Sequence, residues 1–128
     1  MIDHVSLSVS DFKRSRAFYD AALAPLGVAV RMEVGAEETD SGVAFAGYGR
    51  DRPVLWVAEG PQPTGHVHLA LTASTRAEVD AFYEAAIAAG ARDNGPPGVR
   101  PYYHPNYYGA FVIDPDGVNL EAVCHAPA

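Results

Sequence analysis

Cysteine is nearly absent from this 128-residue chain, which has only Cys124. One thiol excludes an intrachain disulfide and any cysteine-rich metal cluster, and at the end of an apolar run it belongs to a core. Long apolar runs are missing too. No segment approaches the roughly 20 residues a bilayer crossing needs, and the N-terminus has no basic stretch followed by an apolar one, so neither a membrane span nor a signal peptide is expected. A cytoplasmic location follows as the default. Basic charge is scarce, with 9 Lys and Arg against 16 Asp and Glu and a formal net charge of −7. That argues against nucleic acid as a partner, because tracking a phosphate backbone takes clustered cations that displace counterions. The acidic balance serves solubility and would draw in a cationic small molecule. Disorder is not indicated either: at 48% hydrophobic and 20% charged, the chain can bury one sizeable core in a single domain, 1–128.

What the chain does have is alternation. In H-V-S-L-S-V-S, Val5, Leu7 and Val9 face one side and His4, Ser6 and Ser8 the other. In H-L-A-L-T-A, Leu69 and Leu71 point in, and His68, Ala70 and Thr72 point out. In N-L-E-A-V-C, Leu120, Ala122 and Cys124 are inward, so Glu121 shares its face with Asn119 and Val123. The two histidine segments are also copies. Aligning His4 with His68 gives a period of 64 residues and pairs Phe18-Tyr19 with Phe82-Tyr83. Such a period is too long for a solenoid and indicates two fused modules.

Read along its length, the chain predicts an α+β fold of two tandem βαβββ modules. A strand over 2–9 leads to a helix capped by Asp11, with Phe12, Ala17, Phe18 and Leu23 on its apolar face and Pro25 and Gly27 ending it. Strands follow over 28–34, 43–48 and 53–58, with an acidic loop over 35–42. Module 1 thus covers about 1–58, a Pro- and Gly-rich linker 59–65, and module 2 about 66–125. In module 2 a strand over 66–73 precedes a helix capped by Thr75, then a short strand over 91–94 and a proline-rich loop. A hairpin over 107–113 and 118–124 closes on D-P-D-G.

Two imidazoles and a carboxylate turned to one sheet face suit a divalent ion with open coordination positions. His4, His68 and Glu121 are the candidate ligands for one such ion, with Zn, Ni, Mn and Fe(II) all compatible. His66 shares the face of His68 and is its rival; the period of the duplication selects His68. His125 reads as tail. The segment Y-Y-H-P-N-Y-Y-G-A-F offers further candidates. Alternation back from Phe111 puts Gly109 and Tyr107 on the ligand face, so Tyr107 is the candidate pocket phenol, and His104 is the candidate catalytic base, imidazole being the side chain suited to moving a proton at neutral pH.

H-V-S-L-S-V-S-D-F-K-R-S-R-A-F-Y and D-P-D-G-V-N-L-E resemble the opening strand and helix and the closing hairpin of the vicinal oxygen chelate superfamily, which includes glyoxalases, bleomycin resistance proteins and extradiol dioxygenases. The resemblance implies sheets that curl into a mixed-sheet cup, helices on the outer face, and His4, His68 and Glu121 as ligands pointing inward. It implies a metal acting as a Lewis acid on a small oxygenated substrate, and a homodimer. Departures narrow it. The glyoxalase I members carry a second carboxylate on the last strand of module 1, where the 64-residue period lands on Val57; neither Val57 nor Trp56 can bind a metal, which argues against that activity. Fosfomycin-resistance members have a serine and a tyrosine where this chain has Gly109 and Phe111. Extradiol dioxygenases are commonly about twice as long. Two function classes follow: a metal-dependent isomerase, lyase or dioxygenase, and a metal-free drug-sequestering protein of the bleomycin-resistance kind. The intact triad favours the first.

Overall fold

The alternating segments fold as strands and the two capped segments as helices. A computed structural model describes residues 1–128. Module 1 runs β1 (Val5–Val9), α1 (Phe12–Leu23), β2 (Ala29–Val34), β3 (Phe45–Gly49) and β4 (Leu55–Glu59). Module 2 runs β5 (His68–Thr72), α2 (Arg76–Ala88), β6 (Arg92–Asp93), β7 (Gly98–Val99), β8 (Tyr108–Ile113) and β9 (Asn119–Cys124). The short strand β7 lies in what the sequence presents as loop. Both caps form: the Asp11 side chain accepts from the Arg14 amide and Thr75 from the Glu78 amide. A single 3-10 turn, Ala24–Leu26, ends α1 on Gly27, whose φ of 73° is left-handed and costs glycine nothing. Neither helix is long and apolar enough to cross a membrane.

The strands make two mixed sheets and no closed barrel. Sheet A has the order β1-β4-β3-β2, and sheet B the order β5-β9-β8-β6 with β7 also on β8. β1 runs parallel to β4 and β5 parallel to β9, so the duplication is repeated in the topology. The tandem α+β arrangement expected from the sequence is present. The inward face of each sheet and the two helices share one core cluster of 22 buried residues, including Leu7, Phe18, Val57, Phe82 and Leu120, and α1 packs directly on α2. A bulge in β2 shifts the register between Val30 and Met32. Val30 therefore sits opposite core-facing Tyr48, while Met32 is turned to the open side of sheet A opposite Gly47.

The turn between β8 and β9 ties the modules together. Asp114 Oδ1 accepts the amides of Asp116 and Val118, both at 2.8 Å, and the Tyr19 hydroxyl of α1 donates to the other oxygen. Asp116 accepts the Ser10 amide at 3.0 Å and the Ser10 hydroxyl. Both carboxylates are buried, so each depends on these donors. From the end of β3, Arg50 donates to the Leu26 carbonyl at 2.9 Å and across to the Thr72 carbonyl at 2.6 Å.

Two buried phenols make the assembly sensitive to alkali. Burial first, and bonding to Asp114 and Asp20 second, push Tyr19 and Tyr48 above the ordinary phenol value of 10.0. The folded chain keeps both neutral while the unfolded chain ionises them, so their contribution is complete below about pH 10 and is lost as pH rises beyond it. Urea unfolding should give a constant midpoint from about pH 7 to 9 and a falling one above about pH 10. Tyr19→Phe should cost about 1–3 kcal/mol at neutral pH, by leaving Asp114 short of a donor, and should flatten the alkaline fall. An alkaline slope identical to wild type would rule out this origin.

Candidate functional site

Each sheet turns one face to the shared core and leaves the other open, and the polar side chains named above fall on the open faces. On sheet B the register sets Ala70 beside Glu121 and Phe111 across from it. His68 Nε2 lies 2.8 Å from Glu121 Oε1, and the Tyr107 hydroxyl donates to Glu121 Oε2. His68 and Tyr107 therefore engage both oxygens of one carboxylate. The burial is uneven: the Glu121 side chain is 1% exposed and that of His68 50%. The pair thus presents an accessible imidazole backed by a buried anion. Phe111 lies beside the His68 ring with centroids 6.1 Å apart, and Arg100 caps Phe111 from 5.4 Å. Gly109 makes the Tyr107 contact possible, because a Cβ there would come within 3.2 Å of both Glu121 Oε2 and the phenol ring.

Tyr107 is a donor here. Burial first, and the bond to Glu121 second, hold its phenol above the ordinary 10.0, so it stays protonated across the neutral range. His104 stands edge-on to Tyr107 at 5.5 Å. Its Nδ1 accepts the Asn106 amide at 3.0 Å, which leaves the proton on Nε2, 2.7 Å from Nδ1 of His125. His125, read as tail from the sequence, is stacked on His104 with centroids 4.9 Å apart. A signal for it existed, since alternation carried one residue past Cys124 puts His125 on the face of Glu121 and Val123. His66 precedes β5 and is exposed.

His4 is elsewhere. It lines an open trough of about 690 Å³ on sheet A, together with Asp3, Ser6, Met32, Phe45, Arg52, Pro53, Trp56 and Ala58. Its Nδ1 is 2.7 Å from Asp3, and that bond first, with Arg52 second, holds the Asp3 carboxyl below its ordinary value. No group of three or more His, Cys, Asp or Glu side chains in the chain is placed to hold a metal ion. His68 and Glu121 suit a divalent ion in donor type, and on the residue paired with His68 the buried side-chain amide oxygen of Asn119, Oδ1, has no hydrogen-bond partner. One chain by itself does not add His4 to them.

The register also corrects the position equivalent to Glu121 in module 1. Ser6 is the copy of Ala70, and just as Ala70 pairs with Glu121, Ser6 pairs with Trp56. The equivalent of Glu121 is therefore Trp56 and not Val57, because the β5-to-β9 path holds one residue more than the β1-to-β4 path. Val57 is core.

A family model described as the glyoxalase/bleomycin resistance protein/dioxygenase superfamily matches residues 1–122. The chain belongs to that superfamily. A glyoxalase/bleomycin resistance protein from Albidiferax ferrireducens T118 is 30% identical, with 97% of this chain and 98% of that one covered at a TM-score of 0.71. A glyoxalase/bleomycin resistance protein/dioxygenase family enzyme from Burkholderia phytofirmans PsJN shares the fold at 20% identity, with 98% of both chains covered and a TM-score of 0.70. Glyoxalase I from Zea mays shares it at 23% identity and a TM-score of 0.71, with 96% of this chain covered but only 45% of the maize chain. Comparison with curated proteins returns no match. Membership of this superfamily agrees with the resemblance carried by the opening and closing motifs.

The contact between Tyr107 and Glu121 can be weighed directly. Tyr107→Phe removes one donor from a buried carboxylate and should lower the unfolding free energy by about 1–2 kcal/mol. Gly109→Val, which drives a side chain between the two residues, should cost at least as much. Urea unfolding of both variants measures this, and a Tyr107→Phe protein as stable as wild type would show that Glu121 does not rely on the phenol.

Proposed function

We propose that this superfamily member is a metal-dependent enzyme of the isomerase, lyase or dioxygenase type acting on a small oxygenated substrate. Its divalent ion would be held by His68 and Glu121 of one copy and His4 of a second copy in a homodimer. The observation that carries the reading is the Glu121 carboxylate, 1% exposed yet on an open sheet face and backed by His68 and Tyr107. Burying an anion costs several kcal/mol unless it is well paired, and such groups gather at functional sites. The unpartnered Asn119 oxygen beside the pair supports a ligand at the same place. The second copy is invoked because the donors of one chain are divided between two open faces. A two-fold axis that set sheet A of one copy over sheet B of the other would make two equal sites.

A bound divalent ion would act as a Lewis acid toward a substrate oxygen. The side chains around it have separate tasks. Tyr107, staying protonated, donates its one O–H to the Glu121 carboxylate; once Glu121 turns that oxygen to the ion, the freed O–H would donate to charge developing on substrate oxygen. His104 carries a proton once it gives up its bond to His125. His68 is the ligand in place of His66, since His68 is the imidazole beside Glu121.

Titration with Zn, Ni, Mn and Fe(II) should show one ion per chain, lost in His68→Ala and kept in His66→Ala, and light scattering should show a dimer. The decisive step mixes His4→Ala with His68→Ala. Each alone should bind poorly, whereas hybrid dimers keep one intact site, so random re-association should restore about a quarter of wild-type binding. No recovery in a mixture shown to contain hybrids would overturn the shared site, and no binding by wild type would overturn the metal reading. With a substrate in hand, Tyr107→Phe and His104→Ala should keep their metal and lose about a hundredfold in turnover.

A further inference from the structure

We propose that the trough on sheet A binds a planar aromatic anion, with its ring laid against the Trp56 indole and its charge on the Arg52 guanidinium. This names the ligand class of the site above. It rests on that reading for the chemistry that follows binding and not for binding itself.

The two modules differ at equivalent points of their open faces. Where module 2 places Glu121, module 1 places Trp56, so the same point of the repeated sheet offers an aromatic surface in one copy and a charge in the other. The cross-strand neighbours differ to match. Glu121 faces Phe111, whereas Trp56 faces Gly47. A Cβ on Gly47 would lie 2.8 and 2.9 Å from Trp56 ring atoms and 2.6 Å from Pro53 Cβ. Glycine is what lets the indole fold down over the strand instead of standing off it. Phe45 braces the ring edge-on, with centroids 5.7 Å apart and planes at 70°. The β2 bulge adds Met32, 53% exposed and turned to the same side, as an adaptable apolar wall. An aromatic side chain held down on a sheet and left partly exposed, as Trp56 is, is a stacking surface.

Arg52 supplies the charge at the rim. Its side chain is 59% exposed and its contacts are long: 3.7 Å to the Asp3 carboxylate, 3.5 Å to the Asp3 carbonyl and 3.4 Å to the Pro53 carbonyl. The Asp3 carboxylate is held more closely by His4, at 2.7 Å, than by Arg52. The guanidinium therefore keeps donors free for a carboxylate or phenolate, which its planar fork suits. The trough volume of about 690 Å³ falls within the usual span for small-molecule sites.

Trp56 is the only tryptophan, so its emission reports on this trough alone. Four probes transparent at its excitation edge separate ring from charge: phenylacetate, the neutral phenylacetamide, the cationic phenethylamine and the saturated cyclohexylacetate. In the full chain with a metal chelator present, phenylacetate should shift Trp56 emission saturably. It should bind roughly tenfold tighter than phenylacetamide, through the charge-assisted bonds to Arg52, and about threefold tighter than cyclohexylacetate, through stacking. Arg52→Gln should erase the preference over phenylacetamide while leaving phenylacetamide binding in place. Trp56→Leu, followed by calorimetry, should erase the preference over cyclohexylacetate. Silent Trp56 emission, tighter binding of phenethylamine, equal binding of cyclohexylacetate, or an anion preference that survives Arg52→Gln would each overturn the proposal. A parallel metal titration keeps the two readings apart. Phenylacetate binding without metal uptake removes the metal reading and leaves this one, and metal uptake without phenylacetate binding does the reverse.

Discussion

The buried carboxylates of the 114–118 turn govern how the two modules meet. Asp114 takes a hydroxyl from Tyr19 on α1, and Asp116 takes both the amide and the hydroxyl of Ser10 at the end of β1. Neither charge could stay out of water without these donors, because an unpaired buried anion costs far more than a hydrogen bond returns. The last hairpin is thereby locked to the first strand and helix, with α1 against α2 and the inward sheet faces on the common core. Glu121, at the third position of β9, inherits its location from that lock.

With their inward faces used up, the sheets have only their outward faces left for chemistry. One carries an imidazole backed by a buried carboxylate, and the other an indole, an arginine and a second imidazole. Duplication gave both faces the same frame, and substitution made them unlike. A one-residue difference between the β1-to-β4 and β5-to-β9 paths decides what is opposed to what, since side chains in a strand change face at every residue. Small residues then set how close the groups come. Gly109 admits Tyr107 to Glu121, and Gly47 admits the Trp56 ring to the strand.

Tyr107 illustrates how the setting fixes a role. A phenol could act as base, donor or mere packing. Burial and the neighbouring carboxylate hold its proton on, so it is a donor. The same setting orders the partners of His104, whose nitrogens face a backbone amide on one side and His125 on the other. Both residues were recognisable as candidates from alternation and residue type. Their side-chain partners were not, because the pairing of Tyr107 with Glu121, 14 residues on, and of His104 with His125, 21 residues on, depends on how the last hairpin closes.

By itself the sequence determined the α+β class, the doubled βαβββ order, both helix caps, and the faces to which His4, His68, Tyr107 and Glu121 turn. Each of these follows from local periodicity or from chemistry within a few residues, which the order of amino acids carries directly. Strand ends were less legible: β3 begins at Phe45 and not at Val43, and β7 arises only because β8 offers it an edge. The tertiary structure alone decided that His68 meets Glu121 while His4 does not, that Trp56 and not Val57 stands in the place of Glu121, and that His125 joins the aromatic cluster. Those are matters of register and of how two sheets are set on one core. Such relations join residues 21 positions apart for His125 and His104 and 53 apart for His68 and Glu121, where the packing of side chains, and no local pattern, selects the neighbour.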